Sequence, residues 1–140
     1  MSVLITRKTE VKVEFHQVDM MQMVHNSWYF RWFELGRTEI LEHLFPMKLA
    51  VKNKMVAPVV MNHCEYHHPA VYGDTLVVTT RHRMLEHWSG RFTFEHTISN
   101  KKTKVELCDG TSAVTVIDFN TKRLIKEIPE NIWNEYLTLN

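Results

Sequence analysis

Alternating hydrophobic and polar residues predict a β-strand near the N-terminus. From Val11 to Phe15, apolar residues alternate with Lys12 and Glu14, which is the period-two pattern of a strand with one buried face. The alternation stops around Asp19, so we expect the first strand to end there.

Residues 28–45 predict one long helix. The segment contains no proline, and its polar residues recur at helical steps on one narrow stripe, so we expect burial on most sides. Asn26 and Ser27 are favoured N-cap types, and Pro46 cannot continue a helix because it lacks an N–H. Gly36 costs this helix about 1 kcal/mol relative to alanine, which indicates close approach of another backbone. The polar stripe consists of Arg31, Glu34, Thr38 and Glu42.

Four segments rich in β-branched and aromatic residues follow the helix and predict antiparallel strands, with turn signals such as Ser89-Gly90 between them. Pro58 lies near the start of the first segment, where an edge position tolerates a missing N–H. After a turn at residues 118–123, Pro129 fits the first position of a short closing helix. The order of elements predicts an α+β fold in which a curled sheet wraps the long helix. The four segments are residues 55–68, 74–88, 91–99 and 104–118.

The composition limits the class of protein. The chain has 140 residues and is 44% hydrophobic, which fits a single domain spanning residues 1–140. Its net charge of +1 provides no field that would hold a polyanion, so we expect no nucleic-acid partner. We expect no membrane partner either, because no apolar run approaches the ~20 residues of a membrane span. Cys64 and Cys108 are too few for a disulfide framework, which favours a cytoplasmic location.

A family resemblance is carried by residues 18–41, VDMMQMVHNSWYFRWFELGRTEIL. This segment resembles the signature of hotdog-fold acyl-CoA thioesterases of the 4-hydroxybenzoyl-CoA thioesterase and YbgC-like kind. The resemblance implies a hotdog fold, an antiparallel sheet wrapped around one long central helix. It also implies a homodimer or homotetramer whose sheets join, with active sites at the subunit boundary. The matching residues are Asp19, Tyr29, Glu34 and Arg37.

The resemblance also implies the reaction, which is hydrolysis of a small or medium acyl-CoA thioester without a cofactor. By position, Asp19 is the nucleophile or general base, and the backbone N–H of Asn26 holds the thioester oxygen. His25 is a candidate for orienting the carbonyl or the aspartate, and Tyr29 is a candidate substrate-binding residue. Carboxylates and preorganised N–H donors suffice for such chemistry, so no metal is required.

Each of these residues also has a structural interpretation that the local sequence leaves open. Asp19 is a common turn former, and a single histidine such as His25 is often a surface or packing residue. The side chain of Asn26 is a candidate helix cap. Glu34 and Arg37, three residues apart on the helix, could form an ordinary ion pair or a contact across subunits.

Two groups of charged residues outside the family signature have simple interpretations. His63, Glu65 and His67 are metal-ligand types on one strand face, but a half-exposed polar face explains them better, and we predict no metal site. Three lysines follow Asn100 in a predicted hairpin loop, where a solvated turn is the favoured interpretation and contact with CoA phosphates is the alternative. These lysines are Lys101, Lys102 and Lys104.

A second hypothesis belongs to a different functional class. Gln22 and Trp28 depart from the residues usual in the family, where a glycine often stands at the position of Gln22. A non-catalytic module that binds acyl-CoA or an acyl-carrier protein on the same fold is therefore the alternative to an enzyme. A carrier-protein thioester is also an alternative substrate for the enzyme.

Overall fold

A computed structural model describes residues 3–44 and 51–139. Among these residues are seven strands, two fully described helices and one 3-10 turn at Phe15–Gln17. Residues 51–53 are also helical. In chain order the elements are β1 (Leu4–Lys12), α1 (Ser27–Leu44), β2 (Met55–Val56), β3 (Val59–Tyr66), β4 (Thr75–Arg83), β5 (Phe92–Asn100), β6 (Glu106–Val114), β7 (Ile117–Asp118) and α2 (Glu130–Leu137).

Five of the strands form one antiparallel sheet in the order β1-β4-β5-β6-β3. Strands β2 and β7 pair separately as a two-stranded sheet. In the large sheet, Lys12 pairs with Thr75 at one end and Leu4 pairs with Arg83 at the other. The loop that precedes α1 follows β1, so it starts at the Lys12–Thr75 end.

Helix α1 lies against one face of the large sheet, contacting β1, β3, β4 and β5. This confirms the predicted α+β arrangement. The helix is buried along one face only, so the expectation of burial on most sides is wrong for this chain, in which Leu35 stays 47% exposed. A Cβ at Gly36 would overlap Thr80 Oγ1 on β4, so the close neighbour is a side chain and not another backbone.

The structure shifts several element boundaries. The first strand runs over Leu4–Lys12 and therefore starts and ends earlier than the alternation from Val11 predicted, because Phe15–Gln17 turns the chain. The segment 55–68 divides into β2 and β3 around Pro58, and the segment 104–118 divides into β6 and β7. Pro129 is the N-cap of α2 and not its first residue. Phe45 and Pro46 lie outside the described residues.

The interior contains two hydrophobic clusters with a polar layer between them. His96 forms hydrogen bonds through Nδ1 with Thr80 Oγ1 (3.0 Å) and through Nε2 with Ser112 Oγ (2.7 Å). Arg37 donates to the same Ser112 oxygen (3.4 Å), and the His96 ring stacks on Phe33. Among the described residues every fully buried side-chain nitrogen and oxygen has a partner. One cluster includes Val13, Tyr29, Phe33, Leu76 and Ile98, and the other includes Ile40, Phe92, Phe94, Ile132 and Tyr136.

Among the described residues, no helix is long and apolar enough to cross a membrane.

Candidate functional site

The candidate site is built on the loop that leads into α1. This loop folds back on itself, because Val18 and Val24 form an antiparallel bridge and the Asp19 N–H donates to Met23 O (2.9 Å). The His25 N–H donates to Gln17 O (3.0 Å), which closes the base of the loop. Asp19 therefore lies near the start of α1, at the Lys12–Thr75 end of the sheet.

The side chain of Asp19 is exposed at the rim of an open cleft of about 830 Å³, which we call the Asp19 cleft. Its Oδ1 accepts the N–H of Met21 (2.8 Å), so Asp19 does stabilise a turn, which is the structural role that its residue type suggests. Its Oδ2 accepts no hydrogen bond from any described residue, which leaves one carboxylate oxygen open to the cleft. The cleft is lined by Phe15, Val18, Asp19, Met20, Gln22, Val71 and Tyr72.

The residue just before α1 has an open backbone donor. The Ser27 N–H donates to His25 Nδ1 (3.2 Å), the Trp28 N–H to His25 O (3.1 Å) and the Tyr29 N–H to Asn26 O (3.3 Å). Within the described chain, the N–H of Asn26 donates no hydrogen bond. Its position at the positive end of the helix dipole suits it to bind an anionic oxygen.

The helix cap is the ring of His25 and not the side chain of Asn26. Because His25 Nδ1 accepts the Ser27 N–H and lies 2.8 Å from Ser27 Oγ, this nitrogen is the unprotonated one and the ring proton belongs on Nε2. The ring is thereby fixed in orientation beside the open Asn26 N–H.

Tyr29 is in the first turn of α1, and its side chain is buried. Its hydroxyl accepts the N–H of Ala70 (3.3 Å), and burial raises the pKa of this hydroxyl above its ordinary value. Tyr29 and Asn26 both line a second cleft of about 290 Å³, which we call the Asn26 cleft. The structure thus brings Tyr29 and Asn26 to one cleft and places Asp19 in the other.

Tyr66 is a member of the Asn26 cleft that sequence reasoning missed. Its hydroxyl donates to the carbonyl oxygen of Asn26 (3.2 Å), and its ring packs edge-on against Tyr29 at 4.9 Å. Burial raises the pKa of the Tyr66 hydroxyl well above its ordinary value. No local signal marks Tyr66, because it reaches Asn26 only through the packing of β3 against α1.

Two aromatic residues of the Asp19 cleft were also not predicted from the sequence. Phe15 and Tyr72 are 77% and 63% exposed, and their rings meet edge to face at 6.0 Å. Met20, beside Asp19, is fully exposed. The cleft therefore presents an apolar surface around a carboxylate, a combination suited to an apolar substrate or to a protein interface.

The exposed residues His63, Glu65 and His67 are engaged in polar contacts on the face of the sheet turned away from α1. His63 Nε2 lies 3.7 Å from Glu65 Oε1, and His67 Nε2 lies 2.6 Å from Asp109 Oδ1 on β6. The hydrogen bond to Asp109 raises the pKa of His67. Ligand atoms of Glu65, His67 and Asp109 lie within 4.8 Å of one another, and exposed ion pairing accounts for this grouping.

Glu34 and Arg37 do not form the ion pair that their spacing allows. Arg37 is buried, its guanidinium points to Ser112 in the polar layer, and burial lowers its pKa. Glu34 is exposed one turn away on the same helix, and its charge partly offsets the effect of burial on the pKa of Arg37. Among the described residues the two therefore interact through their charges without a direct ion pair.

Comparison with known proteins places this geometry in a family. A sequence model of the thioesterase-like superfamily matches residues 13–134. The chain is 33% identical over 84 residues to YneP of Bacillus subtilis, covering 59% of each protein. It is 29% identical over 83 residues to FadM of Escherichia coli, a long-chain acyl-CoA thioesterase, covering 59% of this chain and 63% of FadM. Each match thus spans about three fifths of the relative.

The fold is shared with proteins of low sequence identity. Slr0204 of Synechocystis, a 1,4-dihydroxy-2-naphthoyl-CoA thioesterase, aligns with a TM-score of 0.78 over 95% of this chain and 96% of its own, at 16% identity. At that identity the likeness shows the fold alone. The sheet wrapped around α1 is accordingly a hotdog fold, as the sequence resemblance implied.

Proposed function

The chain belongs to the thioesterase-like superfamily, and on that premise we propose that it hydrolyses the thioester of a small or medium acyl-CoA. The activities stated in the names of YneP and FadM support hydrolysis of an acyl-CoA thioester, whereas the acyl size is part of the proposal alone. The observation that carries it is the folded loop, which holds a carboxylate with one open oxygen near the start of α1, where the N–H of Asn26 just before the helix is unused.

These two groups line different clefts, so the proposal places the thioester between the Asp19 cleft and the Asn26 cleft, within reach of both. The N–H of Asn26 donates to the carbonyl oxygen of the thioester, where negative charge grows as the acyl carbon is attacked. Such a donor commonly contributes several kcal/mol to the transition state. Because the N–H belongs to the backbone, it serves whichever side chain stands at position 26.

Asp19 can act in hydrolysis by either of two mechanisms. As a nucleophile, its oxygen bonds to the acyl carbon, the C–S bond breaks, the thiolate takes a proton from water, and hydroxide cleaves the resulting anhydride. As a general base, Asp19 takes a proton from water while the hydroxide adds to the acyl carbon, and that proton passes to the departing thiolate. Both routes need the carboxylate ionised beside the thioester.

His25 and Tyr29 support these groups. The bond from the Ser27 N–H to His25 Nδ1 fixes the ring, so we propose His25 as a positioning residue for the Asn26 N–H. Tyr29 forms part of the lining of the Asn26 cleft, and we propose that its ring, which is buried, forms the floor against which the substrate binds.

Replacement of Asp19 tests the proposal. Asp19→Asn keeps the size of the side chain but removes its charge and basicity, so we expect kcat to fall by roughly 100- to 10,000-fold. Thiol release from a panel of acyl-CoAs, read with a colorimetric reagent, measures the loss. Asp109→Asn, on the face of the sheet turned away from α1, serves as the matched control and should keep the native rate. Equal rates for Asp19→Asn and the native protein would remove Asp19 from the mechanism.

A non-catalytic acyl-CoA or acyl-carrier binding module is the second candidate. It is favoured by the exposed position of Asp19 and by the bond from the Met21 N–H, which gives its carboxylate a turn-forming role. Calorimetric titration with a non-hydrolysable acyl-CoA analogue separates the two candidates. Binding without turnover of any acyl-CoA in the panel would establish the module and refute the enzyme.

We also propose that two or four copies of the chain assemble through β3. This strand is an edge of the sheet, and Val59 and Val60 on it are 42% and 47% exposed. An uncovered edge with apolar side chains is a template for pairing with another strand. Light scattering on the native protein should therefore give the mass of a dimer or tetramer, and a monomer at micromolar concentration would contradict the assembly.

A further inference from the structure

The hairpin between β5 and β6 borders a cleft that the proposed reaction does not use. Asn100 shapes the turn, because its Oδ1 accepts the N–H groups of both Lys102 (2.9 Å) and Thr103 (3.0 Å). The Lys101 N–H donates to Thr75 O (2.9 Å), which ties the turn to the first residue of β4. The lysine cleft, as we call it, measures about 620 Å³ and is lined by Tyr72, Gly73, Asp74, Thr75, Asn100, Lys101, Lys102 and Thr103.

The lining of the lysine cleft contains two lysines and one aspartate, a net charge of +1, and Lys102 supplies its unpaired positive charge. Lys101 Nζ lies 2.6 Å from Glu10 Oε1 on β1, so its charge is partly balanced. Lys102 forms no ion pair with any described residue. The one carboxylate in the lining, Asp74, accepts the N–H of Val71 (3.0 Å) through Oδ2 and is thereby held by its own loop.

The position of the lysine cleft links it to the Asp19 cleft. Tyr72 lines both of them, so the two concavities adjoin. A second cleft of about 420 Å³, the arginine cleft, is lined by Arg81, Arg83 and Arg91 together with Glu86 and Glu95, and also carries a net charge of +1. It lies at the Leu4–Arg83 end of the sheet, eight strand residues or about 27 Å from the Lys12–Thr75 end. Of the two basic clefts, only the lysine cleft borders the carboxylate within one chain.

We propose that Lys101 and Lys102 bind the phosphate groups of the CoA part of the substrate while its acyl group occupies the Asp19 cleft. This inference rests on the proposed function. It assigns a binding site to the CoA part of the substrate, which the hydrolysis leaves unchanged. Ammonium groups on flexible side chains bind phosphate as point charges, without demanding one fixed geometry. The lysines contribute to substrate binding and not to the chemical step.

Paired substrates and paired variants test the site. Each acyl group is offered as its CoA thioester and as its N-acetylcysteamine thioester, which carries no phosphate. For the double variant Lys101→Gln and Lys102→Gln, KM for acyl-CoA should rise roughly five- to tenfold, as expected for two exposed charge contacts. Neither kcat for acyl-CoA nor kcat/KM for the N-acetylcysteamine thioester should change. The native KM for acyl-CoA should also rise with salt more steeply than that of the variant.

The control removes the same charge at the other end of the sheet. The double variant Arg83→Gln and Arg91→Gln alters the arginine cleft and should retain the native KM for acyl-CoA. An unchanged KM in the lysine variant, or an equal rise in both variants, would overturn the proposal while leaving thioester hydrolysis intact.

Direct binding separates this inference from the proposed function. If the native protein hydrolyses neither kind of thioester, the enzyme proposal fails, and calorimetric titration with coenzyme A still decides the lysine site. Weaker binding of coenzyme A by the lysine variant than by the arginine variant would support the site. Equal binding by both, or none by the native protein, would refute it.

Discussion

Gln22 adopts a left-handed backbone conformation, with φ of 64°, three residues after Asp19. Its N–H donates to Asp19 O (2.9 Å), so this conformation closes the turn that holds the carboxylate. A residue with a Cβ pays roughly 1–2 kcal/mol for such a conformation, whereas glycine does not. The physical requirement at this position explains why a glycine there is common in the family that the sequence resembles.

Gln22→Gly should therefore stabilise the protein. The relief of backbone strain outweighs the added entropy of the unfolded chain, for a net rise of roughly 0.5–1 kcal/mol in the free energy of unfolding. Urea denaturation measures the change. Met21→Gly, at the adjacent position without a positive φ, should lower the same free energy, and a loss of stability in Gln22→Gly would contradict the argument.

At the scale of elements, the close packing of α1 on the sheet depends on two glycines without side chains. Gly36 on the helix faces Thr80 on β4, and a Cβ there would overlap the threonine oxygen. Gly110 on β6 lies under the ring of Phe33, where a Cβ would come within 2.7 Å of two ring carbons. Because Thr80 is hydrogen-bonded to His96, it cannot move away without breaking the polar layer.

Gly36→Ala should therefore destabilise the fold even though alanine is the better helix former. Overpacking typically costs 1–3 kcal/mol, which exceeds the gain of about 1 kcal/mol in helix propensity, so we expect a net loss of roughly 1–2 kcal/mol. Thermal and urea unfolding give the value. Arg31→Ala, exposed on the same helix, should stay within about 0.5 kcal/mol of the native protein. A more stable Gly36→Ala variant would show that α1 can move away from β4 at no cost.

At the scale of the whole molecule, the described residues include two buried histidines, His82 and His96, held in the neutral form. Burial lowers the pKa of His96 to about 3, with the nearby charge of Arg37 as a second cause, and burial also lowers the pKa of His82. His82 bonds through Nδ1 to Thr93 O and through Nε2 to Tyr136 Oη, both at 2.8 Å, which links the sheet to α2. Both rings thus tie separate elements together.

Stability should consequently fall as the solution is acidified. In the unfolded chain each histidine takes up a proton near its ordinary pKa of about 6.5, whereas in the folded state His96 stays neutral down to about pH 3. The unfolded state therefore binds more protons in this window, and His96 alone should remove about 2 kcal/mol between about pH 7 and about pH 5. Urea unfolding at several pH values measures the slope. His87→Ala, at an exposed histidine, should keep the slope, and a free energy independent of pH would contradict buried neutral rings.

Much of the architecture was predictable because local patterns carry it. The period of α1, the presence of strands in the four β-rich segments and the turn at Asp118 follow from spacing and turn chemistry, and the structure confirms them, although two of the segments each divide into two strands. The predicted strand boundaries were wrong where the hydrophobic pattern does not mark the end of a strand. Alternation continues past Lys12 although the chain already turns, and Pro58 ends a strand inside an apolar run.

The sequence by itself determined the set of elements and the family signature that nominates Asp19 and Asn26, since both depend on residues close together in the chain. Tertiary structure alone decided that His25 caps α1, that Arg37 turns inward to Ser112, and that Tyr66 reaches Asn26. The last two contacts join residues far apart in the chain, so they exist only once the sheet has closed around α1. The cap depends on how the loop folds back, which the order of its residues does not specify.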